Sequence, residues 1–294
     1  DQLPVAAPKQ GRTALINTIL MIASFAMLMT LYAPVISSLV RQWLDDPNYR
    51  HGILIPLVSA LLLWKRRDEL REASRDGGTT AGLLLMIAAA GLLVTGTAAA
   101  EFFAMRISLP LMLLGATLFL MGRSYTRIAG PPLLLLLLMV PLPYIIYFKI
   151  TFPMQILSAR LSAGTLAALR VSVIRKGNIL LLPGYTLEVV AACSGLRSLM
   201  TMFTLAVVFA FFTDMSKTRK VILVLLSVPA AIAANTVRLV VTAMGALFIG
   251  PGFADGPLHE ASGIIVFMAG FLMLLLCAGI LRWTQYRRKN RSRS

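Results

Sequence analysis

Long apolar runs recur along this chain, separated by short segments that hold most of its charge. A bilayer core about 30 Å thick needs about 20 apolar residues per helical crossing, and every backbone polar group inside it must find a partner within the protein. Of 294 residues, 58% are hydrophobic and only 14% charged, with a mean hydropathy of +0.81. That leaves too little polar surface for a water-soluble domain, and the chain reads as an all-α integral membrane protein with residues 1–294 forming one domain.

Eight segments are apolar enough to cross: Leu15 to Leu39, Gly52 to Trp64, Ala81 to Ala99, Ile107 to Met121, Pro131 to Phe148, Leu196 to Phe212, Val221 to Ile249 and Gly263 to Trp283. The second and fourth are short, and would recruit flanking residues or tilt. The first run is longer than a signal-peptide core and no small-residue cleavage site closes it, which predicts a retained span.

Orientation follows from Lys and Arg, which concentrate in short cytoplasmic loops. With both termini inside, 18 of the 28 basic residues face the cytoplasm, eight face outward, and Arg197 and Arg238 fall within spans. The net charge of +16 is therefore mainly a topology signal. The basic tail at 284–294 suits anionic membrane lipids. Nucleic-acid binding, the rival reading of such a charge, has no recognition module to support it.

The longest stretch outside these spans, 149–192, is assigned to the outer side as an insertion. Its first half, with Met154, Leu157, Leu161, Leu166 and Leu169 spaced among small polar residues, predicts an amphipathic helix at the interface. Its second half has β-branched residues and two turn signals, Lys176-Gly177-Asn178 and Pro183-Gly184, and predicts a short β-hairpin ahead of the sixth span.

Three chemically capable residues then fall at one depth. Arg238 lies 17 residues after Val221, or about 26 Å along a helix, which carries it nearly across the core from the inside. Cys193 precedes the sixth span and His259 the eighth, both as the chain enters from outside. A thiol beside a base and a cation is an activated nucleophile, and an arginine can stabilise an oxyanion. Taken singly, each has a plainer reading: a small apolar cysteine, an arginine snorkelling to headgroups, a solvated histidine.

Neighbours extend the set. Asn235 shares a helix face with Arg238 and is placed to steady its guanidinium. Arg197 would share the face of Cys193 if the sixth helix begins by Ser194, supplying either a second cation or a headgroup anchor. Glu260 adjoins His259. The second cysteine, Cys277, lies deep in the last span, so a disulfide is not expected and a packing role is.

The runs AACSGLRSL, SVPAAIAANTVRL and LHEASG, with DDPNYRHGILIPL near the start and VPLPY in the fifth span, resemble the exosortase family of bacterial membrane proteases and transpeptidases. The resemblance covers about Asp45 to Gly263. It implies an enzyme of the inner membrane of Gram-negative, exopolysaccharide-producing bacteria, active at the periplasmic face. Its substrates would be exported proteins with a PEP-CTERM sorting signal: a Pro-Glu-Pro motif, one transmembrane helix and a basic tail. It also implies Cys193 as nucleophile, Arg238 as the supporting cation and His259 as acid and base, with a thioester intermediate resolved by water or an amine. The acidic motif could meet Arg197 or Arg175. His51, in the matched NYRHG run, would support the site or pack its loop.

No metal and no cofactor is expected. Cys193, His51 and His259 lack the CxxC, HxxxH or HExxH spacing of a metal site, and thiol acyl transfer needs no cofactor. Two other classes stay open: a non-enzymatic component of polysaccharide export, and a membrane acyltransferase. The near absence of acidic residues within spans counts against a proton-driven transporter.

Overall fold

Glycine and proline set several of the element boundaries. The computed structural model describes residues 10–189, 196–250, 252–255 and 257–291. Its helices are α1 (Gln10–Asp45), α2 (Leu54–Lys65), α3 (Arg67–Glu72), α4 (Thr80–Ala98), α5 (Phe102–Leu135), α6 (Tyr144–Ala168), α7 (Leu196–Phe212), α8 (Lys217–Phe248), α9 (Gly252–Asp255) and α10 (Pro257–Arg291). Single 3-10 turns occupy Arg50–Ile53 and Leu136–Met139, and three strands, β1 (Ile174–Lys176), β2 (Ile179–Leu182) and β3 (Tyr185–Glu188), lie between α6 and α7. Among the described residues, four stretches are long and apolar enough to cross a membrane: Thr80–Ala98, Phe102–Met139, Lys217–Phe248 and Ala261–Tyr286. Arg197–Phe212 is a shorter apolar helix.

The chain divides into two compact units, Asp1–Asp45 with Ala73–Leu134, and Asp46–Glu72 with Leu135–Ser294. In the first, backbone meets backbone at glycine. Gly122 interrupts α5 with φ +85°, and a Cβ there would stand 2.4 Å from the Asp76 carbonyl oxygen. Both the left-handed conformation and the close approach require glycine. The break leaves carbonyls of the preceding turn without helical donors. Gly78 N–H donates to Phe119 O at 2.7 Å, and Thr79 Oγ1 donates to Leu118 O at 2.8 Å. Thr79 also caps α4, accepting from Gly82 N–H.

The same unit buries an arginine. Arg106, only 8% exposed, donates through Nε to Ser38 Oγ at 3.4 Å and through Nη1 to Gln42 Oε1, and lies over the Phe102 ring at 5.4 Å.

In the second unit α8 packs against α7 and α10 through small residues. Ala230, Ala231 and Ala234 meet Met202 and Leu199 of α7 and Val266 and Phe267 of α10. This is how membrane helices associate, since lipid supplies no hydrophobic drive between them and close van der Waals packing must. Towards the other end of α8, Leu239 and Ala243 join Ala159 and Leu166 of α6 and Leu180, Leu182, Leu187 and Val189 of the sheet segment in a second core.

Two expectations change. The hairpin is a three-stranded antiparallel meander, β1-β2-β3, with Leu180 opposite both Arg175 and Leu187. Each of the two turn signals makes its own reversal, so two turns give three strands. The fifth segment, Pro131 to Phe148, is split: the 3-10 turn ends at Met139 and α6 begins at Tyr144, because Pro141 and Pro143 can donate no helical hydrogen bond. The expected amphipathic helix falls within α6, whose large apolar side chains face away from the protein. Thr151, Ser158, Ala159, Ser162 and Leu166 are buried, whereas Tyr144, Phe148, Phe152, Leu157, Leu161 and Leu169 face outward. Small polar side chains permit close approach to α8, and the large apolar ones are left for the surroundings.

Candidate active site

The wall of the site begins with the tight run Asp46-Pro47-Asn48-Tyr49-Arg50-His51-Gly52. Asn48 N–H donates to Asp46 Oδ1 at 2.9 Å and Tyr49 N–H to Asp46 O at 3.0 Å, an Asx-type turn in which the aspartate side chain mimics backbone. Tyr49 and Gly52 are buried, which fixes the 3-10 turn between them. Burial, reinforced by nearby Tyr147 and Asp46, pushes the Tyr49 phenol up to about 12, so it stays neutral.

From this turn Asn48 reaches α7. Arg197 Nε donates to Asn48 Oδ1 at 3.1 Å, holding the guanidinium over the first turn of the helix. Across from it, Arg238 projects from α8. Its guanidinium rests against the backbone of α10, where a Cβ on Gly263 would stand 3.1 Å from Nε, 3.2 Å from Cζ and 3.3 Å from Nη2. One turn of α8 earlier, Asn235 is almost fully buried, and its Nδ2 donates to Ser158 Oγ at 3.0 Å, pinning α8 to α6.

Arg50, Arg197 and Arg238 line one cavity of about 500 Å³, with Pro47, Ser198, Thr201, Gly263, Ile264 and Phe267 completing its wall. Among the described residues its lining carries three cations and no carboxylate. Such a site favours an anion, bound or transient, because guanidinium groups donate in a planar fork that matches a carboxylate or an oxyanion.

Of the residues selected from sequence, Arg197 and Arg238 are therefore brought together. Cys193 and Ser194 lie outside the described residues. The backbones of His259 and Glu260 lie in the first turn of α10, which Pro257 opens at the position where a missing N–H costs nothing. A loop position was expected for this histidine. It stands one turn before Gly263, the residue against which Arg238 packs.

His51 does not line the cavity. It is half-buried behind Arg50, with its Nδ1 unpartnered and its ring near Tyr49, 6.4 Å between centroids. Burial lowers its pKa from the usual histidine value, outweighing the opposing pull of the Asn48 and Leu138 carbonyls. Arg175 is also elsewhere, with Nη1 donating to Gly177 O in the β1–β2 turn at 2.9 Å. Cys277 is a free thiol, partly exposed on α10 rather than fully packed.

The sequence reading missed Asn48, Arg50 and Gly263 as site residues. Asp-Pro-Asn was a legible turn signal, but that its third residue would reach Arg197, 149 positions away, was not. Among the described residues, no three His, Cys, Asp or Glu side chains converge to hold a metal ion.

No curated protein and no solved structure matches the chain. A family model, Transmembrane exosortase (Exosortase_EpsH), matches residues 43–276, a span that contains the Asp46–Gly52 turn, both cavity helices and the first turns of α10. The chain belongs to the transmembrane exosortase family.

Proposed function

We propose that this protein is a membrane cysteine peptidase or transpeptidase that cleaves the C-terminal sorting signal of exported proteins at the periplasmic face of the inner membrane. The signal is a Pro-Glu-Pro motif followed by a transmembrane helix and a basic tail. Eight spans with both termini in the cytoplasm remain our topology, with the cavity at the outer end.

The convergence of Arg197 and Arg238 beside the first turns of α10 carries this reading. Cys193 precedes Arg197 by four residues in sequence, and His259 precedes Gly263 by four. Cys193 Sγ would attack the carbonyl carbon of the scissile peptide, giving a tetrahedral oxyanion that Arg238 stabilises. His259 would deliver its proton to the leaving nitrogen as the C–N bond breaks, leaving a thioester. Water or an amine then attacks the thioester carbonyl, gives up a proton to His259, and expels the thiolate.

The test is gel-shift processing of a co-expressed protein bearing the sorting tail. Cleavage should be lost in Cys193→Ala, Arg238→Ala and His259→Ala at unchanged protein levels. Processing that survives Cys193→Ala would overturn the catalytic reading and favour a non-enzymatic role in polysaccharide export.

A further inference from the structure

Arg197 serves the site only while its guanidinium stays there. A long side chain at a helix end samples many rotamers, and an arginine near a membrane surface is drawn to headgroups. Here one contact across the fold holds it: Nε donates to Asn48 Oδ1 at 3.1 Å, between residues 149 positions apart. A guanidinium is planar and carries five N–H groups, so fixing one restrains the directions of the other four. Arg197 is half-buried and lines the cavity beside Ser198 and Thr201.

Asn48 is itself placed by its neighbours. Its N–H goes to Asp46 Oδ1 at 2.9 Å and the Tyr49 N–H to Asp46 O at 3.0 Å, so the Asp46 side chain shapes the turn from which Asn48 reaches α7. The turn is anchored independently of Arg197. Tyr49 is buried with its phenol hydrogen-bonded to the backbone of Leu142, and the His51 ring bonds to the backbone of Leu138. Removing the Asn48 amide therefore releases Arg197 while those anchors keep the turn.

We propose that Asn48 is a positioning residue for the reaction: it holds the Arg197 guanidinium at the cavity, where this cation favours the thiolate of Cys193, four residues earlier in the sequence. Asp46 positions Asn48 in turn. This rests on the reading given under Proposed function. A cation beside a thiol favours its reactive ionised form, and a cation held in place does so throughout, where a mobile one does so part of the time. The effect therefore falls on kcat rather than on KM.

The experiment uses the full chain in vesicles and a substrate bearing the sorting tail. Asn48→Ala should lower kcat by about tenfold, the loss expected from one hydrogen bond to a charged group, with KM within about twofold of wild type. Arg197→Ala should lower kcat at least as far, and the double variant no further than Arg197→Ala alone, since Asn48 acts only through Arg197. Asp46→Ala should follow Asn48→Ala, and Asp46→Asn, which keeps an oxygen for the Asn48 N–H, should recover most of that loss. No loss in Asn48→Ala, losses that multiply in the double variant, a rise in KM at constant kcat, or equal losses in the two Asp46 variants would overturn the proposal. So would a defect that follows the anionic-lipid content of the vesicles, which would make Arg197 a headgroup anchor.

Alkylation of Cys193 by a maleimide, in a Cys277→Ala background, reads the same relation without cleavage. Asn48→Ala and Arg197→Ala should each slow it by about threefold to tenfold, and the double variant no more than Arg197→Ala. That pattern supports the positioning role even if Cys193→Ala still cleaves, an outcome that ends the catalytic reading alone. Equal alkylation rates in all the variants remove the positioning role even if Cys193 proves to be the nucleophile.

Discussion

Arg106 and Arg197 are chemically identical and meet opposite fates. In the first unit Arg106 is buried, its Nε and Nη1 held by Ser38 and Gln42 and its face covered by Phe102. In the second, Arg197 is tethered by Nε to Asn48 and lines a cavity with Arg50 and Arg238. A cation in an apolar helix is therefore not a functional signal by itself. The difference lies in what the guanidinium faces: side chains and a ring of its own unit at Arg106, and an open cavity at Arg197.

The sharpest way to break this comparison is to exchange one cation on each side. Arg238→Lys should cut processing by about a hundredfold or more, because a point charge does not reproduce the fork that faces an oxyanion. Extraction yield and melting temperature should stay near wild type. Arg106→Ala should do the reverse, lowering stability by about 1–3 kcal/mol by leaving Ser38 and Gln42 without their partner, while each folded molecule still processes substrate. Processing abolished in well-folded Arg106→Ala would end the distinction.

Gly263→Ala sharpens the second half of the comparison. A Cβ there would crowd the Arg238 guanidinium at 3.1–3.3 Å. Alanine is also the better helix former by up to about 1 kcal/mol. We expect processing to drop by about tenfold while thermal stability holds or rises. A loss of stability instead would mean that Gly263 serves packing alone.

Smaller effects should follow at the α6–α8 contact. Asn235→Ala and Ser158→Ala should each cost about 1 kcal/mol, with a coupling near 0.6 kcal/mol in a double-mutant cycle, as for interhelical hydrogen bonds in other membrane proteins. Additive losses would show that the 3.0 Å bond adds nothing in the membrane.

The gentlest test is pH. His51 has a lowered pKa in the folded protein, so between the unfolded value of about 6.5 and that lower value the unfolded chain binds more protons. Its contribution is complete above about pH 6.5 and is lost as pH falls through the folded pKa. His51→Asn should flatten that acid limb in thermal melts while leaving activity at neutral pH measurable; an unchanged limb would assign the acid sensitivity to other groups.

Much of the helical layout was legible because apolar runs and basic loops are local signals. The sixth segment, Leu196 to Phe212, coincides with α7, and Ala81 to Ala99 differs from α4 by one residue at each end. What failed depended on details that hydropathy averages away: prolines 141 and 143 dividing the fifth segment, and two turn signals making two reversals. Arg238 was legible from helical rise, and Arg197 from its four-residue spacing to Cys193. Asn48 was not, because its role comes from a contact with a residue 149 positions away, and neither was Arg50, which only the folded chain brings to the cavity. Gly263 left no mark either, as a helical glycine earns notice only when a neighbour fills the space beside it.

The outward apolar face of α6 also governs how this helix tolerates sequence change. On a soluble helix, the serines and threonines are the positions free to vary. Here Thr151, Ser158 and Ser162 are buried inside the unit, Ser158 against Asn235 of α8, while Phe148, Phe152 and Leu157 look outward. A saturation library should therefore accept exchanges among large apolar residues on the outward face and reject modest enlargements at the small polar positions, so that the residues a hydropathy plot would dismiss as filler are the ones least able to drift.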